Sequence, residues 1–308
     1  MQQNSVAPLI IAVVLGLALY AVSVDRGNSQ NLAEVRDYGN SLEKGTGKDG
    51  AVTATDIEKD IKSVERSIQK VGEELTSLIE EKNRSPYADT VSIKGVSGLG
   101  SVDPKKEYVT ISLSQSSKEN VTISGWQLKS DSTGKSVAIG KGAAVYYPNT
   151  SSQNDFVVLL PGNTAVITTG MSPLGLSFKT NKCTGYLNQF NSFSPTLPQQ
   201  CPLPENEDLR SIPYVPANFS CFDFIERMSR CRLNTKPLPV TFSSECVAFI
   251  YEKVGYQGCL SLHRNDSDFF GTQWRIYLGR NESLWLNKRE TIRLIDENGK
   301  TVDTYARR

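Results

Sequence analysis

Between Val6 and Val24 the chain runs for 19 residues without a charged side chain (VAPLIIAVVLGLALYAVSV). A segment that is apolar on every face cannot lie on the surface of a soluble globule, so it constrains all that follows. As a helix it spans about 28 Å, close to the hydrocarbon thickness of a bilayer. Pro8 falls near its start, where a helix tolerates it. A buried soluble helix and a cleaved signal peptide are the alternatives, and Ala21-Val22-Ser23 offers a small-residue cleavage site. No Lys or Arg precedes the run, however, and it is long for the apolar core of a signal peptide. The expectation is a single-pass transmembrane anchor over residues 1–25. A flexible linker over residues 26–53, rich in Gly, Ser, Asn and charge, follows it.

Two features decide which side the body occupies, and they disagree. Arg26 and Arg36 follow the span, which by the positive-inside rule places the body in the cytoplasm. All six cysteines (Cys183, Cys201, Cys221, Cys231, Cys246 and Cys259) fall within 77 residues. An even, clustered set behind a membrane segment reads as three disulfides formed in an oxidising compartment. Zinc is the other use of such a cluster, but the chain has no C-x2-C pair and only one histidine. No metal and no cofactor are expected. The cysteines outweigh two arginines, so the C-terminal body is placed outside the cytoplasm. Short loops close most easily, which favours pairing between neighbours: Cys183–Cys201, Cys221–Cys231 and Cys246–Cys259.

Beyond the linker the apolar period becomes helical. Ile57, Ile61, Val64, Ile68, Val71, Leu75 and Leu78 follow a 4-3-4-3-4-3 spacing, with charged and polar residues between them. That is an a/d seam, with Ile57 at d and Ile61 at a. It predicts a coiled-coil stalk from Ala54 to Lys82 within residues 54–86, closed by Pro86. A single amphipathic helix lying on its own domain is the plainer alternative. Self-association through this segment into a homo-oligomer is expected.

After Pro86 the period falls to two. Val109, Ile111 and Leu113 alternate with Thr110 and Ser112, the pattern of a half-buried strand. Strands are expected over residues 90–94, 107–114, 121–129, 136–145, 156–160 and 164–168, and again over 273–278, 291–295 and 300–305. Asn298-Gly299 suits the tight turn of the last hairpin. Residues 174–271 differ in composition, being rich in proline and containing every cysteine. Helices are expected there over 221–228 and 244–254, with Ser244 as N-cap and Gly255 just past the end of the second.

Residues 105–130 (KEYVTISLSQSSKENVTISGWQLKS) and 283–305 (SLWLNKRETIRLIDENGKTVDTY) resemble the opening strands and the last hairpin of a lamin-tail domain. Gly125-Trp126 and the Asn-Gly turn followed by Val302-Asp303 carry the likeness. It implies a mainly β, immunoglobulin-like sandwich split into residues 87–173 and 272–308, with the cysteine-rich stretch inserted between. The layout is similar to that of membrane-anchored bacterial envelope proteins, in which such a domain serves display or interaction. Trp126, Trp274 and Trp285 all lie in the two matching halves and none in the insert, which points to one shared core.

Chemistry is sparsely signalled. His263, Arg264 and Asp266 form the one local cluster suited to acid–base work, and a polar loop is the plainer account of it. The charge balance, 34 basic against 33 acidic residues, lacks the footprint of a nucleic-acid binder. The expectation is a non-enzymatic, membrane-anchored binding or scaffolding protein. Its ligand would be an envelope polymer or protein. The alternative is an envelope hydrolase with its site near His263.

Overall fold

A computed structural model describes residues 54–148, 153–285 and 289–307 of the chain. The expected anchor and linker, residues 1–53, lie outside the described residues. Among the described residues no helix is long and apolar enough to cross a membrane.

Helix α1 is Ala54–Lys82, 29 residues and so about 43 Å long. Ile61, Val64, Ile68, Val71, Leu75 and Leu78 are each exposed along it, Val71 at 62%. The sequence pattern is that of a packed seam, but nothing among the described residues covers these side chains.

The compact body is Leu75–Arg308. Its strands are β1 (Val91–Ser97), β2 (Tyr108–Leu113), β3 (Val121–Thr122), β4 (Gln127–Ser130), β5 (Ser136–Ala138), β6 (Val158–Leu159), β7 (Thr164–Thr168), β8 (Phe178–Asn181), β9 (Phe270–Tyr277), β10 (Thr291–Ile295) and β11 (Thr301–Ala306). One sheet has the order β1-β2-β7-β9-β8, a second β11-β10-β4-β5, and β3 pairs with β6. Most neighbours are antiparallel, but β7 and β9 run parallel, with Ile167 opposite Ile276. About a hundred residues separate those two strands, because the insert fills the crossover.

The sandwich core lies between the two larger sheets. Val109, Ile111 and Leu113 of β2, Ala165 and Ile167 of β7, Trp274 and Ile276 of β9, and Leu128, Ile292 and Leu294 of the second sheet belong to one buried cluster. Trp126 and Trp285 are in the same cluster, so all three tryptophans share it. Trp126 precedes β4, and Gly125 before it has φ +94, a value that favours glycine and breaks the expected strand 121–129 in two. The Trp126 indole donates to Glu297 Oε2 at 2.5 Å, tying the core to the last hairpin. Glu107 is fully buried and accepts from the backbone N–H groups of Leu284 and Trp285 at 2.8 and 3.1 Å.

The insert has its own core, built on three helices: α2 (Phe219–Glu226), α3 (Ser244–Glu252) and α4 (Tyr256–His263). Phe178 of β8 joins this second cluster and Tyr277 of β9 packs against it. Alternate residues of β9 therefore serve two cores. Trp274 and Ile276 face the sandwich, whereas the buried guanidinium of Arg275 donates to the insert at Pro195 O.

Several expectations change. With a 29-residue helix and three insert helices, the described chain is mixed helix and sheet rather than mainly β. The strand expected over 136–145 stops at Ala138, and only isolated bridges at Gly142 and Ala143 follow. Ser243, not Ser244, caps α3, its hydroxyl accepting from the Cys246 N–H at 3.3 Å. Gly255 does not end α3; with φ +149 it starts α4, a helix whose mixed polar and apolar residues carry no clear period. Three disulfides are present, but none joins sequence neighbours. Cys183 bonds Cys259, Cys201 bonds Cys231 and Cys221 bonds Cys246, with Cα–Cα separations of 5.7, 5.2 and 6.2 Å. Loop entropy grows only logarithmically with length, so which helices pack together overrides it.

Candidate functional site

His263 is the last residue of α4, held in place by a helix that the Cys183–Cys259 disulfide fastens to the end of β8. A turn follows, closed by the Asp266 N–H to the His263 carbonyl at 2.9 Å, and it swings the Asp266 carboxylate back onto the ring. Nδ1 lies 2.8 Å from Asp266 Oδ2. Nε2 lies 2.9 Å from Glu207 Oε1, which arrives from the short 3-10 helix Pro204–Asn206 on the far side. Lys182, between β8 and Cys183, completes the group with contacts to Asp266 at 2.9 Å and Asp268 at 2.5 Å.

The imidazole thus has a carboxylate on each nitrogen. Burial draws its pKa down, but the hydrogen bonds and charges of Glu207 and Asp266 outweigh burial and raise it above the ordinary histidine value. Lys182 behaves alike: burial opposes its charge, and the hydrogen bonds it donates to Asp268 and Asp266 prevail. Hydrogen bonds from Lys182, then His263, hold Asp266 below the usual carboxylate range. Beside Glu207 the buried Tyr186 phenol is pushed up to about 12, by burial first and by the Glu207 charge second.

A general base needs a free nitrogen and a pKa near the working pH. Both nitrogens of His263 are taken up by carboxylates, so the ring offers no free one. The geometry is a clasp that joins the loop at Glu207, the end of β8 and the end of α4. Of the three residues singled out in the sequence, His263 and Asp266 come together. Arg264 is exposed and caps the helix, its N–H bonded to the Leu260 carbonyl. Glu207 and Lys182 went unnoticed because they stand 56 and 84 residues from their partners, with no motif linking them.

A pocket of about 280 Å³ lies elsewhere on the insert, lined by Asn188, Gln189, Gln199, Cys231 and Arg232. It is at the small end for a ligand site. The Asn188 amide is committed to both backbone groups of Leu197, and the Gln189 amide to those of Leu233. Among the described residues no group of three His, Cys, Asp or Glu side chains is placed to hold a metal ion.

The feature best suited to binding is the α1 seam, with six apolar side chains on one helical stripe, each at least 41% exposed. Comparison with protein-family models, with curated proteins and with solved structures finds no match to this chain.

Proposed function

We propose that this chain is a membrane-anchored, extracytoplasmic binding or scaffolding protein. It is a single-pass membrane protein through residues 6–24, and α1 is a stalk that carries a lamin-tail-like, immunoglobulin-like sandwich. The observation that supports this most directly is the exposed apolar seam of α1 on a chain whose body is braced by three disulfides. An uncovered stripe of that length calls for a second helix, and a disulfide-held insert calls for an oxidising compartment. Two sheets enclosing Trp126, with the β10–β11 hairpin paired onto β4, support the sandwich assignment. The double carboxylate grip on His263 supports a structural role for the insert over hydrolysis.

The test is protease treatment of intact cells that express the full chain. Cleavage in the linker that releases a soluble body, with no free thiol until reductant is added, is the expected result. A body protected until the membrane is broken, or one with free thiols, overturns the location. Hydrolytic activity that disappears in His263→Ala overturns the binding role.

A further inference from the structure

We infer that the partner of α1 is a helix from a different chain, with lysine or arginine flanking its own apolar seam, rather than a second copy of this chain. The inference rests on the stalk reading above and deepens it. With Ile61 at a and Val64 at d, the e positions are Glu58, Glu65, Gly72 and Ile79, and the g positions are Asp60, Ser67, Glu74 and Glu81. Five of these eight flanking residues are acidic and none is basic. The cations Lys59, Lys62, Arg66 and Lys70 occupy b, c and f, on the face turned away from the seam. Lys70 reaches towards a flank, 3.9 Å from Glu74 in an exposed i,i+4 pair.

Residues at e and g set the choice of partner, because they face each other across the edges of the seam. In a parallel pair each g residue meets e of the following heptad. Self-pairing then sets Asp60 of one copy against Glu65 of the other. In an antiparallel pair e meets e and g meets g, again acid against acid. Every arrangement of two copies therefore meets like charge, which destabilises, and none gains an opposite charge at the flanks. The apolar gain from covering Ile61, Val64, Ile68, Val71, Leu75 and Leu78 is the same for any partner with a matching seam. Flank charge is then the term that discriminates. A partner with basic e and g residues turns each repulsion into an attraction, a preference on the order of tenfold or more at low salt.

The experiment uses the full chain in a mild non-ionic detergent, sized by sedimentation velocity. The probes are two synthetic helical peptides that share one Ile/Leu seam, one with lysine and one with glutamate at e and g. The full chain alone is expected to stay monomeric at micromolar concentration and physiological salt. It should bind the lysine peptide at least about tenfold more tightly than the glutamate peptide, with the gap closing as salt rises. The triple variant Glu65→Lys/Glu74→Lys/Glu81→Lys should reverse the order. Self-association as tight as lysine-peptide binding, or equal binding of both peptides, overturns the partner assignment and leaves the stalk standing. No association with itself or with either peptide overturns the stalk reading as well.

Discussion

Both ring nitrogens of His263 meet carboxylates, and that fixes the sign of its pH dependence. A raised folded pKa means that the native state holds the proton more tightly than the unfolded chain does. The stabilisation is complete below the unfolded value, near 6.5, and is lost as pH rises through the raised value. Asp266 and Asp268, held low by Lys182, run the other way: their contribution is lost as pH falls through their lowered values. The clasp is therefore tightest between those limits, in mildly acidic solution. His263→Gln should cost about 1–3 kcal/mol at pH 6, since it leaves the largely buried Glu207 without its charged partner while Asp266 keeps Lys182. The deficit should shrink as pH climbs above 6.5. Urea unfolding of both proteins from mildly acidic to mildly basic pH measures it. A deficit constant across that range means the ring carries no charge in the clasp.

At the scale of single elements, α1 is the one whose stability rests least on tertiary contacts. Gly72 sits in its interior with nothing within 4 Å of where a Cβ would be, and its φ is not in the left-handed region. Glycine there adds backbone freedom to the unfolded helix and no packing to the folded one. Gly72→Ala should stabilise the helix by about 0.5–1 kcal/mol, read as increased helical circular dichroism and a later loss of it on heating. A decrease would mean that a neighbour packs against the bare backbone at Gly72. Strand β9 is the opposite case. Its apolar and polar residues alternate between two cores, so a substitution such as Arg275→Ala disturbs the contact to Pro195 without opening the sandwich.

For the molecule as a whole, the Cys183–Cys259 bond is the brace between its parts. Cys183 follows β8 and Cys259 precedes β9, so the bond ties the two ends of the insert together over a separation of 76 residues. The other two bonds lie inside that loop. Removing it as Cys183→Ser/Cys259→Ser should cost about 2–5 kcal/mol. The loss should fall on the insert. Because all three tryptophans sit in the sandwich core, their fluorescence should stay native while near-ultraviolet dichroism from insert tyrosines fades and protease cuts appear between residues 184 and 258. Tryptophan emission that shifts in step with the insert signals would mean that the two cores unfold as one unit.

What the sequence by itself determined is whatever repeats locally. The 4-3 spacing set the limits of α1 at Ala54 and Lys82, and short β-rich runs between turn residues placed β7 and β10 at Thr164–Thr168 and Thr291–Ile295. A period shows in the chain because each residue's face depends on its immediate neighbours. Six clustered cysteines, likewise, were enough to expect three disulfides. Which cysteine meets which was a tertiary decision, since it depends on how α2, α3 and α4 pack and not on the length of chain between them. The same holds for β8, too short and polar to alternate clearly, and for α4, which starts at a glycine otherwise read as a helix end. It holds most for the clasp. Glu207 and Lys182 are ordinary surface residues in the sequence, and only the packing of three separate segments makes them the partners of His263 and Asp266.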